Sequence, residues 1–482
     1  AVVKPSWSAE DLVFPSGFKF GVASSSYQIE GAWNISDKGE SIWDRLCHTT
    51  DKIVNNHSGD VACDSYHRWP RDIEMIQEIG AHFYRFSISW PRLLPTGYPN
   101  SISEDGKNYY NNLIDGLLEK GIEPVVTVYH WDLPQSLQDL GGWANPLIAD
   151  WFADYARVVF TLYGDRVKVW LTINEPLIVC DMAYNSGAFA PGLLDRETAP
   201  YLCNKHILIA HAKAWRMYHE EFKDKYQGKV SINNQLIWFE PVDENDQELA
   251  ELMAGRYSHP IYSKEGGWPP NIEKIMADIS KKNGLPRSKL PAFTDEETKL
   301  VRGTFDFYAM NHYCSRKVRP VRPGEAMLPW PIYDCPDLRA KVERPENWPI
   351  SDGIDWFWVY PEGFRRQLAW LKKNYGDLEV MIMENGYASQ SGLDDVERVK
   401  YYRNYLEQML LAIKEDGVNV TRYTAWTLMD NFEWVAGYGA KFGLYEVDFE
   451  SPERTRTPRA SAKYYAGVIS SNAVTKPVKE DL

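Results

Sequence analysis

Two glutamates stand where hydrophobic runs end: Glu175 in VKVWLTINEPLIVC and Glu384 in LEVMIMENGY. An unpaired carboxylate in a dry site costs several kcal/mol. A strand that runs into one therefore either releases it to solvent or holds it for chemistry. Each glutamate has an asparagine beside it, Asn174 before one and Asn385 after the other. Two carboxyls facing one cleft are the machinery of glycosidic-bond hydrolysis. At about 5–5.5 Å apart, one attacks carbon and a covalent glycosyl-enzyme forms; at about 6.5–9.5 Å, water attacks directly. Their environments must differ, since one has to hold a proton near neutral pH while the other stays ionised.

Distant residues meet only if a fold brings them together, and the chain contains eight apolar, β-rich runs that end in polar or aromatic residues. They cover 18–30, 83–90, 123–132, 167–176, 229–241, 305–313, 378–387 and 421–434. Helix-period stretches lie between them, at 71–81, 106–121, 148–164, 208–222 and 395–417. Near-continuous apolar strands alternating with helices predict a parallel sheet covered by helices, and eight such units close as a (β/α)8 barrel. An open doubly wound sheet competes, but the Gly-rich phosphate turn that would open its first unit is missing. No Gly/Ser linker or low-complexity segment divides the chain, so a single domain over residues 1–482 is expected. In such a barrel the C-terminal strand ends share one mouth. Glu175 would end the fourth strand and Glu384 the seventh, across that mouth.

Composition narrows the partners. A net charge of −14 argues against nucleic-acid and anionic-membrane surfaces, which need basic patches. No apolar run reaches the length of a membrane span. Aromatics make up 14% of the chain, with 19 Trp and 29 Tyr, which suits both a large aromatic core and stacking on sugar rings. The six cysteines are scattered without a C-x-x-C pair, and Cys63 with His67 gives two candidate ligands, too few for zinc. No metal and no cofactor motif is read. The chain starts at Ala1 without a signal peptide, as a processed or trimmed chain would, and carries sequons at Asn34, Asn56 and Asn419. A secreted location is expected ahead of a cytoplasmic one, and a homodimer is left open.

Five stretches, SYQIEGAWN, YHWDLPQ, TINEP, ENGY and WTLMDNFEW, stand in an order that resembles glycoside hydrolase family 1, the β-glucosidase family. The resemblance runs from about residue 14 to 468, and its wording is like that of animal, especially insect, members. It implies a retaining reaction with Glu175 as acid/base and Glu384 as nucleophile. Tyr313 and Arg85 would hold Glu384 ionised and aimed. Gln28, His130, Asn174, Glu433 and Trp434 would hydrogen-bond the first sugar, with Trp426 as its platform. Asn311 is a further candidate, Phe442 would close the sugar pocket, and Trp356 would form the wall for the leaving group. Taken singly, His130 also reads as a core histidine, Arg85 as a partner for any acid, and Trp426 as plain core. Met383 departs from the family's usual threonine, and that side chain is expected to point away from the sugar.

The expected activity is exo-acting hydrolysis of O-linked β-glucosides or short β-linked oligosaccharides, with β-galactosides and β-fucosides as further substrates. A β-thioglucosidase or a transglycosidase is the alternative, and a catalytically silent glycan- or receptor-binding barrel is the non-enzymatic one. Sulfated thioglucosides need cations; Arg316 offers one, Asp181 opposes it, and the retained Glu175 points to O-glycosides.

Overall fold

Each of the eight runs contributes one barrel strand. The computed structural model describes residues 12–474 apart from 256, 328–333 and 391. The barrel strands are Lys19–Ala23, Phe83–Ser87, Glu123–Tyr129, Val169–Asn174, Lys229–Gln235, Tyr308–Asn311, Val380–Asn385 and Val420–Trp426. They pair in chain order, each parallel to its neighbour, and the first closes on the eighth.

Alternation along each strand divides the apolar residues between two layers. On the fourth strand Val169 and Leu171 join Phe83, Val125, Met381 and Met383 in an apolar cluster inside the barrel. Trp170 and Thr172 face outward instead. Trp170 meets Phe160 of the helix Ile148–Tyr163 edge-on at 5.0 Å, and Thr172 Oγ1 pairs with His211 Nδ1 of the helix Ala199–Glu221 at 2.7 Å. The Phe83 ring occupies the space that a side chain at position 21 would need, so the first strand carries Gly21 there. This packed interior makes the lower barrel a solid floor and leaves function to its C-terminal mouth.

The expected helices are present, with shifted ends. The 71–81 stretch belongs to Ser65–Ile79, which starts earlier and passes through Pro70, and Gly80 caps it at φ 76°. The 208–222 stretch extends back to Ala199. Two barrel-covering helices, Pro361–Tyr375 and Ala460–Ser471, are absent from the periodicity reading. The 229–241 run also breaks in two. Lys229–Gln235 stays in the barrel, while Trp238–Pro241 leaves it to pair with Ser315–Pro320, which pairs in turn with Ala340–Glu343. Leu236 and Ile237 form the turn-out, and apolar character alone does not mark it.

Candidate active site

Glu175 answers the question its sequence raises. The fourth strand slips register against the fifth between Leu171 and Asn174, which re-aims the strand end toward the barrel axis. Glu175 then takes a left-handed backbone, φ 51° and ψ 69°, and Pro176 starts a short helix where no N–H is needed. A non-glycine residue in that region costs on the order of 1 kcal/mol and persists only where its surroundings impose it. Trp131 and Trp434, at φ 78° and 50°, line the same cavity as Glu175. Three left-handed residues thus share this cavity, while others lie elsewhere in the chain.

Glu384 reaches the mouth by a similar device. The seventh strand is bulged between Ile382 and Glu384, so Met383 and Glu384 both escape strict alternation. Met383 packs inside the barrel floor, as expected, and contributes only its carbonyl, which accepts from Arg85 Nη1 at 3.0 Å. Asn385 faces away and is braced by Tyr401, Tyr423 and the His312 carbonyl. A side chain at position 386 would collide with the Trp426 carbonyl, so only Gly386 lets the ends of strands seven and eight lie this close.

Both carboxyls are buried and line one cavity of about 330 Å³, but their partners differ. Glu384 Oε1 accepts from Arg85 Nη1 at 2.5 Å, and Oε2 accepts from the Tyr313 hydroxyl at 2.6 Å. Glu175 Oε1 accepts only a neutral amide, Asn311 Nδ2, at 2.6 Å. Arg85 is locked by Thr127 Oγ1 at 3.0 Å and Asn174 Oδ1 at 2.8 Å. Asn233 ties Asn174 to Asn311 at 2.7 and 2.8 Å. Six strands, the second to the seventh, are therefore joined through one buried polar network.

That network separates the two carboxyls electrostatically. Burial raises Glu175 well above the ordinary carboxylate range, and the Glu384 charge pushes the same way. Burial raises Glu384 too, while the Arg85 charge and the Tyr313 hydroxyl pull it back. A proton shared by the pair sits on Glu175. Tyr313 stays a donor, because burial and the Glu384 charge hold its pKa well above normal. Burial and the Arg85 charge keep His130 neutral. Burial, helped by the Glu384 charge, lifts Glu433 to about 8.

The expected site residues form two layers. His130, Tyr313, Trp356, Trp426, Glu433, Trp434 and Phe442 line the cavity with the two glutamates. The His130 ring lies nearly parallel to both Trp426 and Trp434, at 5.9 and 6.0 Å. Gln28, Arg85, Asn174 and Asn311 stand behind that lining. Gln28 Nε2 donates to Glu433 Oε2 at 3.2 Å and to Asn431 and Phe432, so it orients Glu433. Asn174 Nδ2 meets His130 Nε2 at 3.1 Å and orients that ring. Arg316 does not line the cavity. It is fully buried, donates to the Trp356 carbonyl at 2.6 Å and lies over the Trp358 ring. Sequence reasoning missed Trp131, whose indole N–H donates to the Asn174 carbonyl at 2.9 Å, although it stands inside YHWDLPQ. It also missed Ile178, Met182, Phe189 and Gln235, ordinary residues that only the fold brings to the wall.

Among the described residues no group of three His, Cys, Asp or Glu side chains could hold a metal ion, and no helix is long and apolar enough to cross a membrane. Cys63 is buried against the Asp430 carbonyl, while His67 sits on the surface with Asp64. Cys180 and Cys203 form a disulfide across a sequence separation of 23.

A closed parallel barrel with paired, unequal carboxyls in an aromatic cavity at its mouth defines a glycoside hydrolase. The sequence profile of glycosyl hydrolase family 1 matches residues 10–474, and the chain belongs to that family. It is 47% identical to myrosinase 1 of Brevicoryne brassicae, over 96% of this chain and 99% of that one. It is 39% identical to human cytosolic beta-glucosidase, over 96% of this chain and 99% of the relative. The solved structure of aphid myrosinase superposes with a TM-score of 0.91 at 46% identity, covering 96% of this chain and all of that chain.

Proposed function

We propose that this chain is a retaining, exo-acting β-glucosidase of O-linked glucosides. The observation that carries the reading is the asymmetry of the carboxyl pair: Arg85 and Tyr313 both grip Glu384, while Glu175 meets only an amide. An ionised Glu384 oxygen attacks the anomeric carbon. As that bond forms, the bond from carbon to the leaving oxygen breaks, and the Glu175 proton passes to that oxygen. Water then attacks the same carbon, the now ionised Glu175 takes its proton, and the bond to Glu384 breaks. Two inversions retain configuration. His130, Glu433 and Trp434 hold the hydroxyls of the first sugar, Trp426 stacks under its ring, and Phe442 closes over it. Gln28, Asn174 and Asn311 act by orienting those groups.

An activated 2-deoxy-2-fluoro-β-glucoside tests the scheme, because its glycosyl-enzyme breaks down slowly. Mass spectrometry should find the sugar on the peptide that contains Glu384. Labelling of another residue, or none with turnover intact, overturns the assignment.

A second reading, β-thioglucosidase, is favoured by the 47% identity to a myrosinase. Two features favour O-glucosides instead. Arg316 is not part of the cavity lining and donates to the Ser315 and Trp356 carbonyls, and Glu175 is present to protonate an oxygen leaving group. Comparing kcat/KM for an aryl O-glucoside and a sulfated thioglucoside separates the readings. The location we propose is the secretory route. It is supported by the Cys180–Cys203 disulfide and by the exposed side chains of sequon residues Asn34, Asn56 and Asn419.

A further inference from the structure

A second, smaller cavity of about 90 Å³ lies beside the first, and Gln235 and Ile237 line both. The two cavities also share the segment after Glu175. Ile178 and Met182 face the first, while Leu177, Asp181 and Asn185 face the second. The remaining wall comes from the part of the chain that leaves the barrel. Phe239 lies on the strand that turns away, Leu252 on the helix Gln247–Gly255, Met276 on the helix Pro270–Lys282, and Leu338 just before Ala340–Glu343. The wall is mostly aliphatic, and its charged members, Asp181 and Asp337, are acids.

Gln235 stands at the junction. Its Oε1 is buried with no hydrogen-bond partner among the described residues. A buried acceptor left unmade is costly, so a group passing this point gains by offering a donor. Beyond it, the apolar part of the wall rewards methylenes, Asp337 is already paired with Lys289 at 3.5 Å and with the Tyr201 hydroxyl, and a charge carried into this wall would lose its hydration.

We infer that the second cavity receives the tail of the leaving group, so that the preferred substrate is a glucoside of an uncharged amphipathic alcohol. Such an aglycone offers a hydrogen-bond donor near the glycosidic bond and carries an aliphatic chain beyond it. The inference rests on the β-glucosidase reading and names the class of aglycone that reading leaves open. Gln235 and Ile237 line both cavities, and this position beside the catalytic cavity selects this occupant over an unrelated ligand.

A chain-length series tests it. kcat/KM is measured for butyl, hexyl and octyl β-glucosides below their micelle concentrations, with 4-nitrophenyl β-glucoside as reference. Each methylene that enters the second cavity should raise kcat/KM about three- to fourfold until the cavity is full. Leu338→Trp and Leu252→Trp, both at partly buried positions, fill that cavity without touching the first. Either should flatten the series to within about twofold while reference turnover stays at the wild-type level. A flat series in the wild-type enzyme overturns the inference, as does an unchanged slope in a variant that retains reference activity. Failure to cleave 4-nitrophenyl β-glucoside at all removes the glucosidase reading and this inference with it. A cleaved reference with a flat series removes the inference alone.

Discussion

Glu175 and Glu384 have the same side chain, yet the barrel sets them to different protonation states by pairing Arg85 directly with Glu384. The pH dependence of catalysis follows from that placement. In the proposed scheme turnover needs Glu384 ionised, so kcat/KM should rise as pH climbs through its pKa. It also needs Glu175 protonated, so kcat/KM falls as pH climbs through the higher pKa that burial and the Glu384 charge give it. Glu175→Gln removes the group that sets the falling limb. For an alkyl glucoside, whose leaving oxygen needs a proton, the variant should lose roughly 10²- to 10⁴-fold in kcat/KM. For a dinitrophenyl glucoside, which leaves unaided, formation of the glycosyl-enzyme should be far less affected and its alkaline limb should disappear. A pH–rate profile with both substrates checks this, and a retained alkaline limb would assign it elsewhere.

At the scale of elements, the segment after Glu175 does two jobs. One helical turn, Pro176–Ile178, leads into a π-helical stretch, Val179–Asn185, that presents residues to both cavities. π-helical segments are uncommon and frequent at functional sites, since the wider turn re-spaces side chains. The Cys180–Cys203 bridge fastens this stretch to the long helix Ala199–Glu221. With a sequence separation of 23 between its ends, the bridge should contribute about 3 kcal/mol by restricting the unfolded chain. The double variant Cys180→Ser, Cys203→Ser should therefore unfold at lower denaturant concentration. Urea titration followed by Trp fluorescence measures the shift. An unchanged midpoint would mean that packing alone fixes this wall.

At the scale of the molecule, burial of ionisable groups shapes stability. Burial lifts Asp132 to about 7 and Glu433 to about 8, and it lowers His211 and His312 to about 4. A carboxyl raised by folding stabilises the protein while protonated and loses that contribution as pH rises through its folded pKa. A histidine lowered by folding does the reverse and gains stability as pH rises toward about 6.5. The two sets oppose each other between about pH 4 and 6.5, and above that only the carboxyl loss remains. The contributions of these four groups should therefore nearly cancel up to about pH 6.5 and decline from there toward pH 8. Asp132 offers a clean test: it is fully buried, accepts from Ser26 Oγ at 2.5 Å and has an unpartnered Oδ1. Asp132→Asn cannot ionise, so its stability relative to wild type should grow from about pH 4 to 7 and then level. The total gain is on the order of 4 kcal/mol. A pH-independent difference in urea midpoints would rule out this titration.

Much of the fold and of the site could be read before any coordinates. Strand and helix periods are local properties of the chain, so the eight apolar runs located all eight barrel strands. Chain order around a closed barrel then fixed which strand ends share a mouth with Glu175 and Glu384. Local patterning did not reveal the turn-out at Leu236–Ile237, because both sides of it are equally apolar. Nor did it find the helix Pro361–Tyr375 or the pairing of Cys180 with Cys203. Gln28 and Asn174 were legible as part of the site, but not that they stand behind Glu433 and His130. A residue's type is written in the sequence. Which charge, amide or void lies against it depends on segments hundreds of residues away, and only closure of the barrel sets that geometry. The sequence by itself therefore determined the barrel and the two carboxyls. Tertiary structure decided which of them keeps the proton, because Arg85 and Tyr313 both hydrogen-bond Glu384 while Glu175 accepts from Asn311.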